Sequence, residues 1–292
     1  MSDSVFLAAP SPQGDGTRFA PTEHARGPWD PGALHGGAPA ALMAAAFERL
    51  EPGSDLRIAR LGFEFLRPVP LAPLKLSMRI VRPGRRVQEL AGELSVEAPD
   101  AKPAAVGAGR DEDAGELVIC RASALRVRAI PEGVPTTEPT QSLGGADARE
   151  TMGTPETCPP LHFALDDSDE PSFALSAMEM RAPGDPRAPG PGRVWMRLRL
   201  PLVAGEEPTP LARLAATADF GNGISAVLPF ERFLFINADL TIHLHRPPRG
   251  EWIGLDAHTL LHTGGTGLAE SVIHDVDGPV GRAFQTLVVE PR

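Results

Sequence analysis

Hydrophobic and polar positions alternate with a period of two along much of the chain. Leu61, Phe63 and Phe65 alternate with Arg60, Gly62 and Glu64, and Leu74, Leu76, Met78 and Ile80 alternate with Lys75, Ser77 and Arg79. That periodicity predicts two half-buried strands. Pro83-Gly84 marks a turn, Leu90 to Val96 continues the pattern, and a strand over about Leu117 to Arg128 follows an Ala/Pro/Asp-rich loop near 98–115. Ahead of these strands, Ala38 to Leu50 breaks the alternation. It is dense in Ala, Leu and Met, with Glu48 and Arg49 only near its end, the composition of a buried helix.

Periodicity is absent from Ile130 to about Pro160, where the chain is acidic and rich in Pro, Gly and Thr. Beyond this stretch the order of elements returns. Phe173 to Met180 reads as a strand, and Val194, Met196, Leu198 and Leu200 alternate with Arg193, Trp195, Arg197 and Arg199. A second helix opens after Glu206-Glu207-Pro208-Thr209-Pro210 and runs through Leu211, Leu214, Ala215 and Ala218 to about Phe220, with Gly221 and Gly223 expected to end it. Strands are expected over Phe233–His245, Trp252–His262, Leu268–Asp275 and Val280–Val289, with Asp277-Gly278 as the turn between the last two. A helix followed by several antiparallel strands, twice over, is an α+β duplication and not the strand–helix alternation of a Rossmann sheet. The expected units are residues 1–130, a linker at 131–160, and residues 161–292.

Of the 292 residues 42% are hydrophobic and 23% charged, which excludes wholesale disorder. The net charge of -10 argues against a nucleic-acid partner. Nine acids and one base, Arg149, lie between Pro131 and Glu170, so that stretch carries -8 of the -10. The remainder is near neutral and compatible with an anionic small ligand. The two cysteines, Cys120 and Cys158, form no CxxC pair, which points away from a zinc cage or disulfide framework and toward a reducing cytoplasm. No apolar run reaches the roughly 18 residues of a membrane helix, so neither a membrane nor a secretory route is expected.

The two helices differ in their chemistry. His35-Gly36-Gly37 opens the first, and glycines there let a ligand approach backbone N–H groups at the positive end of a helix, a place suited to a developing oxyanion. The second carries Asp219 among apolar residues, and a carboxylate whose burial disfavours its charge is a candidate general base. Glu48 beside Arg49 reads as an exposed ion pair. Arg82, Arg85 and Arg86, and Arg193, Arg197 and Arg199, form positive clusters suited to phosphate or to solvent. His243 and His245 share a strand face without a third ligand, and Asp275-Val276-Asp277-Gly278 lacks the downstream glutamate of a calcium loop. Gly264-Gly265-Thr266-Gly267 has neither the lysine nor the helix of a P-loop. No metal or organic cofactor is expected.

Taken together, His35-Gly36-Gly37, Ala218-Asp219-Phe220, His245-Arg246-Pro247 followed by Glu251-Trp252, and Gln285 in the last strand resemble the type II double hot-dog acyl-CoA thioesterases, across both halves of the chain. The resemblance implies a tandem hot-dog fold, each copy an antiparallel sheet wrapped around one long helix, with the active site between copies. It also implies an aspartate, a hydroxyl residue and a glutamine that hold the attacking water. The aspartate falls on Asp219 and the glutamine on Gln285. Counting back from His245-Arg246-Pro247, the family's threonine falls on Asn237, an amide, while Thr241 sits four residues further on. His35, Gly36 and Gly37 are the implied acyl-thioester contacts, and Arg85 and Arg86 the candidate contacts for coenzyme A phosphates. The acid position of the first helix, nine after His35, is Ala44, and the second helix start carries Pro208 and Pro210 in place of glycines. One composite site is therefore expected, with donors from the first half and base from the second. The expected partner is acyl-CoA, and a homo-oligomer follows by analogy. Asn237 keeps open a non-catalytic acyl-CoA-binding protein. An enoyl-CoA hydratase would want an Asp and a His near one helix start, whereas the second helix start has Pro208-Thr209-Pro210. The 5% aromatic content favours an aliphatic over an aryl acyl group.

Overall fold

The computed structural model describes residues 3–9, 17–51, 53–97, 115–130, 133, 152–162, 170–184 and 188–292. The loop near 98–115 and the acidic stretch from 131 to 150 lie almost wholly outside the described residues. Strands β1 (Phe6–Ala9) and β2 (Thr17–Pro21) precede helix α1 (Gly37–Arg49), which is followed by β3 (Leu56–Phe65), β4 (Leu74–Arg82), β5 (Val87–Glu97) and β6 (Glu116–Arg128). After the short β7 (Pro160–Leu161) come β8 (Met178–Arg181) and β9 (Gly192–Leu198), helices α2 (Pro210–Ala218) and α3 (Gly221–Ile224), and strands β10 (Phe233–Asn237), β11 (Asp239–Leu244), β12 (Ile253–Leu261), β13 (Thr266–Asp275) and β14 (Gly278–Pro291).

All the described strands join one 14-stranded sheet in the order β1-β2-β4-β5-β6-β3-β11-β14-β13-β12-β9-β8-β7, with β10 also on β14. The first half contributes β1-β2-β4-β5-β6-β3, and the second repeats that order as β8-β9-β12-β13-β14-β11. The halves meet where β3 pairs antiparallel with β11, Leu61 opposite Ile242 and Phe63 opposite Leu240. Those four side chains point inward and are fully buried, because the alternation in each strand commits one face to the core.

Helix α1 is buried on every side, from Gly37 to Ala45 and again at Phe47. A helix apolar all round must lie inside, and its alanines allow α2 and the sheet to come close. Its N-cap is Gly36, which offers no side-chain bond. Helix α2 is capped by Thr209, whose Oγ1 accepts the Ala212 N–H at 3.2 Å, with Pro210 in the first turn.

The structure departs from the sequence expectation at four places. Phe173–Ala177 is a π-helical turn, and only Met178–Arg181 is strand. Ser172 Oγ accepts the Leu175 N–H and Phe173 is buried, so a cap and a buried ring override the apolar run. Trp195, on the face expected to meet solvent, is 3% exposed, and its Nε1 donates to Met152 O at 3.1 Å. Gly221 and Gly223 do not end the helical segment but form α3. The strand expected over 233–245 breaks at Ala238, whose N–H donates to Thr286 O while its carbonyl accepts from Phe65 N–H.

Candidate active site

The start of α1, the end of α2 and the β10 edge converge on Asp219. This residue closes α2 as its C-cap, is 4% exposed, and faces the first half of the chain. His35 Nδ1 stands 3.0 Å from Asp219 Oδ2. Asn237 Nδ2 donates to Asp219 Oδ1 at 2.9 Å. Gln285 Nε2 donates to the Asp219 carbonyl at 3.0 Å and reaches Oδ1 at 3.5 Å. The sequence-predicted residues His35, Gly36, Asp219, Asn237 and Gln285, spread over 250 positions of the chain, thus form one cluster.

The glycines are required by close approach. A Cβ on Gly36 would lie 2.7 Å from Asp219 Oδ2, and one on Gly37 would lie 2.7 Å from the Ala216 carbonyl. Both are well inside contact distance, so only glycine lets the two helices meet with the carboxylate between them. The Gly37 N–H donates to His35 Nδ1 at 3.0 Å. Of the two amides expected for an oxyanion, only that of Gly36 belongs to a residue on the cavity wall.

The imidazole of His35 packs against Phe220 at 4.2 Å between centroids and Phe173 at 5.3 Å. Phe220 entered the sequence reading only as part of the Ala218-Asp219-Phe220 segment, with no role of its own, and Phe173 only as a strand residue. Phe220 directly follows Asp219, and Phe173 lies in the turn read as strand, so no periodicity marked them. Asn222 was also missed: its backbone N–H donates to Gln285 Oε1 at 2.9 Å. Gln285, 1% exposed and absent from the cavity wall, is therefore clamped behind Asp219 with both ends of its amide used.

Asp219, His35, Gly36 and Asn237 open onto a cavity of about 600 Å³. Trp29, Phe65, Phe220 and Phe235 line it, so aromatic side chains, scarce in the chain, gather here. Arg26 and Arg67 also line it. Arg26 is paired with Glu170 at 2.6 Å, while Arg67 is exposed and has no ionic partner among the described residues. Arg85 and Arg86 sit exposed in the β4–β5 hairpin and are not part of the wall. Of the other positive cluster, Arg193 pairs with Asp256 at 3.1 Å and Arg197 with Glu179 at 2.8 Å.

Burial pushes the Cys120 thiol up to about 12, with the charges of Glu64 and Asp219 adding to the effect. A thiol so held stays protonated and is no nucleophile. Among the described residues no group of His, Cys, Asp and Glu is arranged to hold a metal ion.

Comparison with known proteins bears on the family and the fold. Residues 25–127 match the family model described as the acyl-CoA thioesterase N-terminal domain, and residues 155–289 match that of the acyl-CoA thioesterase C-terminal domain. No curated protein matches the chain by sequence. Among solved structures, a candidate thioesterase from Novosphingobium aromaticivorans is 19% identical, covering 97% of this chain and 98% of its own, with a TM-score of 0.66. A conserved hot-dog protein of unknown function from Alicyclobacillus acidocaldarius is 17% identical over 97% and 96%, with a TM-score of 0.65. The acyl-CoA thioesterase II of Mycobacterium marinum is 16% identical over 97% and 94%, with a TM-score of 0.59. At these identities the likeness is one of fold, tandem hot-dogs along the whole chain. With both family domains matched in order across most of its length, the chain belongs to the double hot-dog acyl-CoA thioesterase family.

Proposed function

We propose that the protein hydrolyses acyl-CoA thioesters to the free acid and CoA at the Asp219 cluster. The observation that carries this reading is the meeting of a buried carboxylate from the second half with the glycine-opened helix start of the first. Asp219 supplies the negative charge that activates a water. Asn237 donates to Oδ1 through Nδ2, which leaves its own carbonyl oxygen to accept a proton of that water. The amide thus replaces the family's hydroxyl in one of its two functions. Gln285 acts from behind, fixing the Asp219 backbone at the end of α2. The Gly36 N–H, at the positive end of α1, is the donor for the developing oxyanion. Arg67 on the cavity wall is better placed for a CoA phosphate than Arg85 and Arg86.

The test is free-thiol release from a panel of aliphatic and aryl acyl-CoA esters by the native protein and by Asp219→Asn. Release that vanishes in the variant, with the fold intact, establishes the reaction and the role of the carboxylate. Retained full activity in the variant overturns it.

The 3.0 Å approach of His35 to Asp219 favours one further reading. The Asp and His that a hydratase wants do come together, at the start of α1, although not from the same half of the chain. Loss of enoyl absorbance from a 2-enoyl-CoA without thiol release would select this reading over hydrolysis.

A further inference from the structure

On the thioesterase reading above, the rate depends on how the end of α2 is set against the start of α1, because Asp219 and Gly36 come from opposite halves of the chain. Between these two ends stands the ring of Phe173, which is fully buried. On one side its Cε1 is so close that a Cβ on Gly37 would come within 3.0 Å of it. On the other side it is stacked on Phe220, the residue after Asp219, with ring planes 15° apart and centroids at 6.1 Å. One side chain thus touches the direct sequence neighbour of each reacting end.

We infer that Phe173 is a positioning residue: its ring is the spacer that fixes the Asp219 carboxylate at its distance from the Gly36 end of α1. The π-helical turn Phe173–Ala177 that carries it serves this placement. Single π-turns are rare and recur at functional sites. In a strand, Phe173 and Ser176 would point to opposite faces. In the turn, Phe173 enters the core while Ser176 Oγ lies 2.7 Å from His24 Nδ1, and Ala174 and Leu175 line the cavity. The Phe173 N–H donates to the Arg26 carbonyl at 3.0 Å, and the Arg26 guanidinium pairs with Glu170 at 2.6 Å. His24 and Arg26 flank Ala25, whose carbonyl accepts the His35 N–H at 3.0 Å. The turn, from the second half, therefore holds the segment leading into His35-Gly36-Gly37 as well as the ring behind it.

Phe173 is not on the cavity wall, so it acts on the reaction only through the positions of others. A shorter side chain lets the two helix ends settle toward each other and moves the carboxylate relative to the Gly36 N–H. Misplacement by about 1 Å is enough to lower a rate about a hundredfold. The wall that binds the ester is left in place, so the loss falls on kcat and not on KM.

Three variants test this, with the acyl-CoA ester that the native protein cleaves fastest and under conditions in which urea denaturation shows each variant folded. Phe173→Leu shortens the spacer. Phe173→Met keeps a longer, adaptable side chain and reads the same quantity should Phe173→Leu not fold. Phe47→Leu makes the same change in an equally buried ring at the far end of α1. The expected result is a kcat about 10–100-fold lower in Phe173→Leu with KM little changed, a smaller loss in Phe173→Met, and kcat within about twofold of native in Phe47→Leu. Native kcat in Phe173→Leu, or in Phe173→Met where that variant stands in for it, would overturn the inference. An equal fall in Phe47→Leu would overturn it too, by making the effect one of core packing in general, as would a raised KM with kcat kept. A native protein that releases no thiol from any ester defeats the thioesterase reading and this role with it, an outcome distinct from an active enzyme indifferent to Phe173.

Discussion

At one end of the α1–α2 pair, Gly36 and Gly37 bring the start of α1 against the carboxylate of Asp219, and the space beside them opens into a cavity of about 600 Å³. At the opposite end, related to the first by the duplication, Thr209 caps α2 with its own hydroxyl. There the Glu48 carboxylate from α1 accepts the Leu211 N–H at 3.3 Å, and Arg49 pairs with Glu206. The space left is about 30 Å³. Ala44, where the acid of a second site would fall, is fully buried in the core. Glu48 is thus no simple exposed ion pair with its neighbour Arg49: it sits at the positive end of α2, where a carboxylate is favoured. The contrast lies in what stands beside each helix start. At one end Thr209 and Glu48 close it, while at the other His35 takes the Gly37 and Ala38 N–H groups and Gly36 leaves room for the Asp219 carboxylate and the cavity.

Substitutions at the two ends should therefore diverge in kind. The largest effect belongs to Asp219→Asn, which keeps the shape of the cluster and removes its charge. A loss of about 10³-fold in kcat is expected, read by thiol release, with no loss of stability in urea denaturation. Next comes Gly36→Ala. The new methyl would force Asp219 from its place by several tenths of an ångström, and about a hundredfold loss of kcat/KM is expected from that displacement. Removing Arg67, the cation on the cavity wall with no ionic partner among the described residues, as Arg67→Ala should raise KM for the CoA ester about fivefold, in the range of exposed ionic contacts. The same assay on Arg85→Ala/Arg86→Ala should show no change; a raised KM there would mean that the ligand extends to the β4–β5 hairpin. The smallest effects are expected at the opposite end. Thr209→Ala should cost about 1 kcal/mol of stability through the lost cap, and Glu48→Gln about 0.5 kcal/mol through the weakened helix-end charge. Neither should change kcat, and a loss of activity in either would mean that the two ends are not independent.

Much of this was legible in the chain. The duplicated order of helix and strands followed from periodicity, and the burial of α1 from Gly37 to Ala45 followed from a segment whose polar residues come only at its end. The candidate cluster was legible through short segments, HGG at 35–37 and Asp219-Phe220, joined by resemblance to a family. The loops were not. Phe173, Trp29 and Arg67 lie where no repeat constrains which way a side chain points, and the sequence expectation put the phosphate contacts on the hairpin at Arg85 and Arg86. The alternation of β9 also misled at Trp195, because strand periodicity reports which face a residue is on and not whether something covers that face.

What the sequence determined by itself is local: backbone preferences, the inward face of each strand and the helix that must be buried. Those are set by residues a few positions apart, and hydrophobic burial then commits them to one register. The tertiary structure decided what those residues do for one another. His35 and Asp219 lie 184 positions apart, and nothing in either segment encodes the 3.0 Å between them. Their contact arises because β3 pairs with β11 and sets the two helices side by side, so that an imidazole, a carboxylate and a glycine-opened helix end share one wall of a cavity. The second half folds Gln285 into its place behind the carboxylate, and the assembled halves leave the opposite end sealed by Glu48.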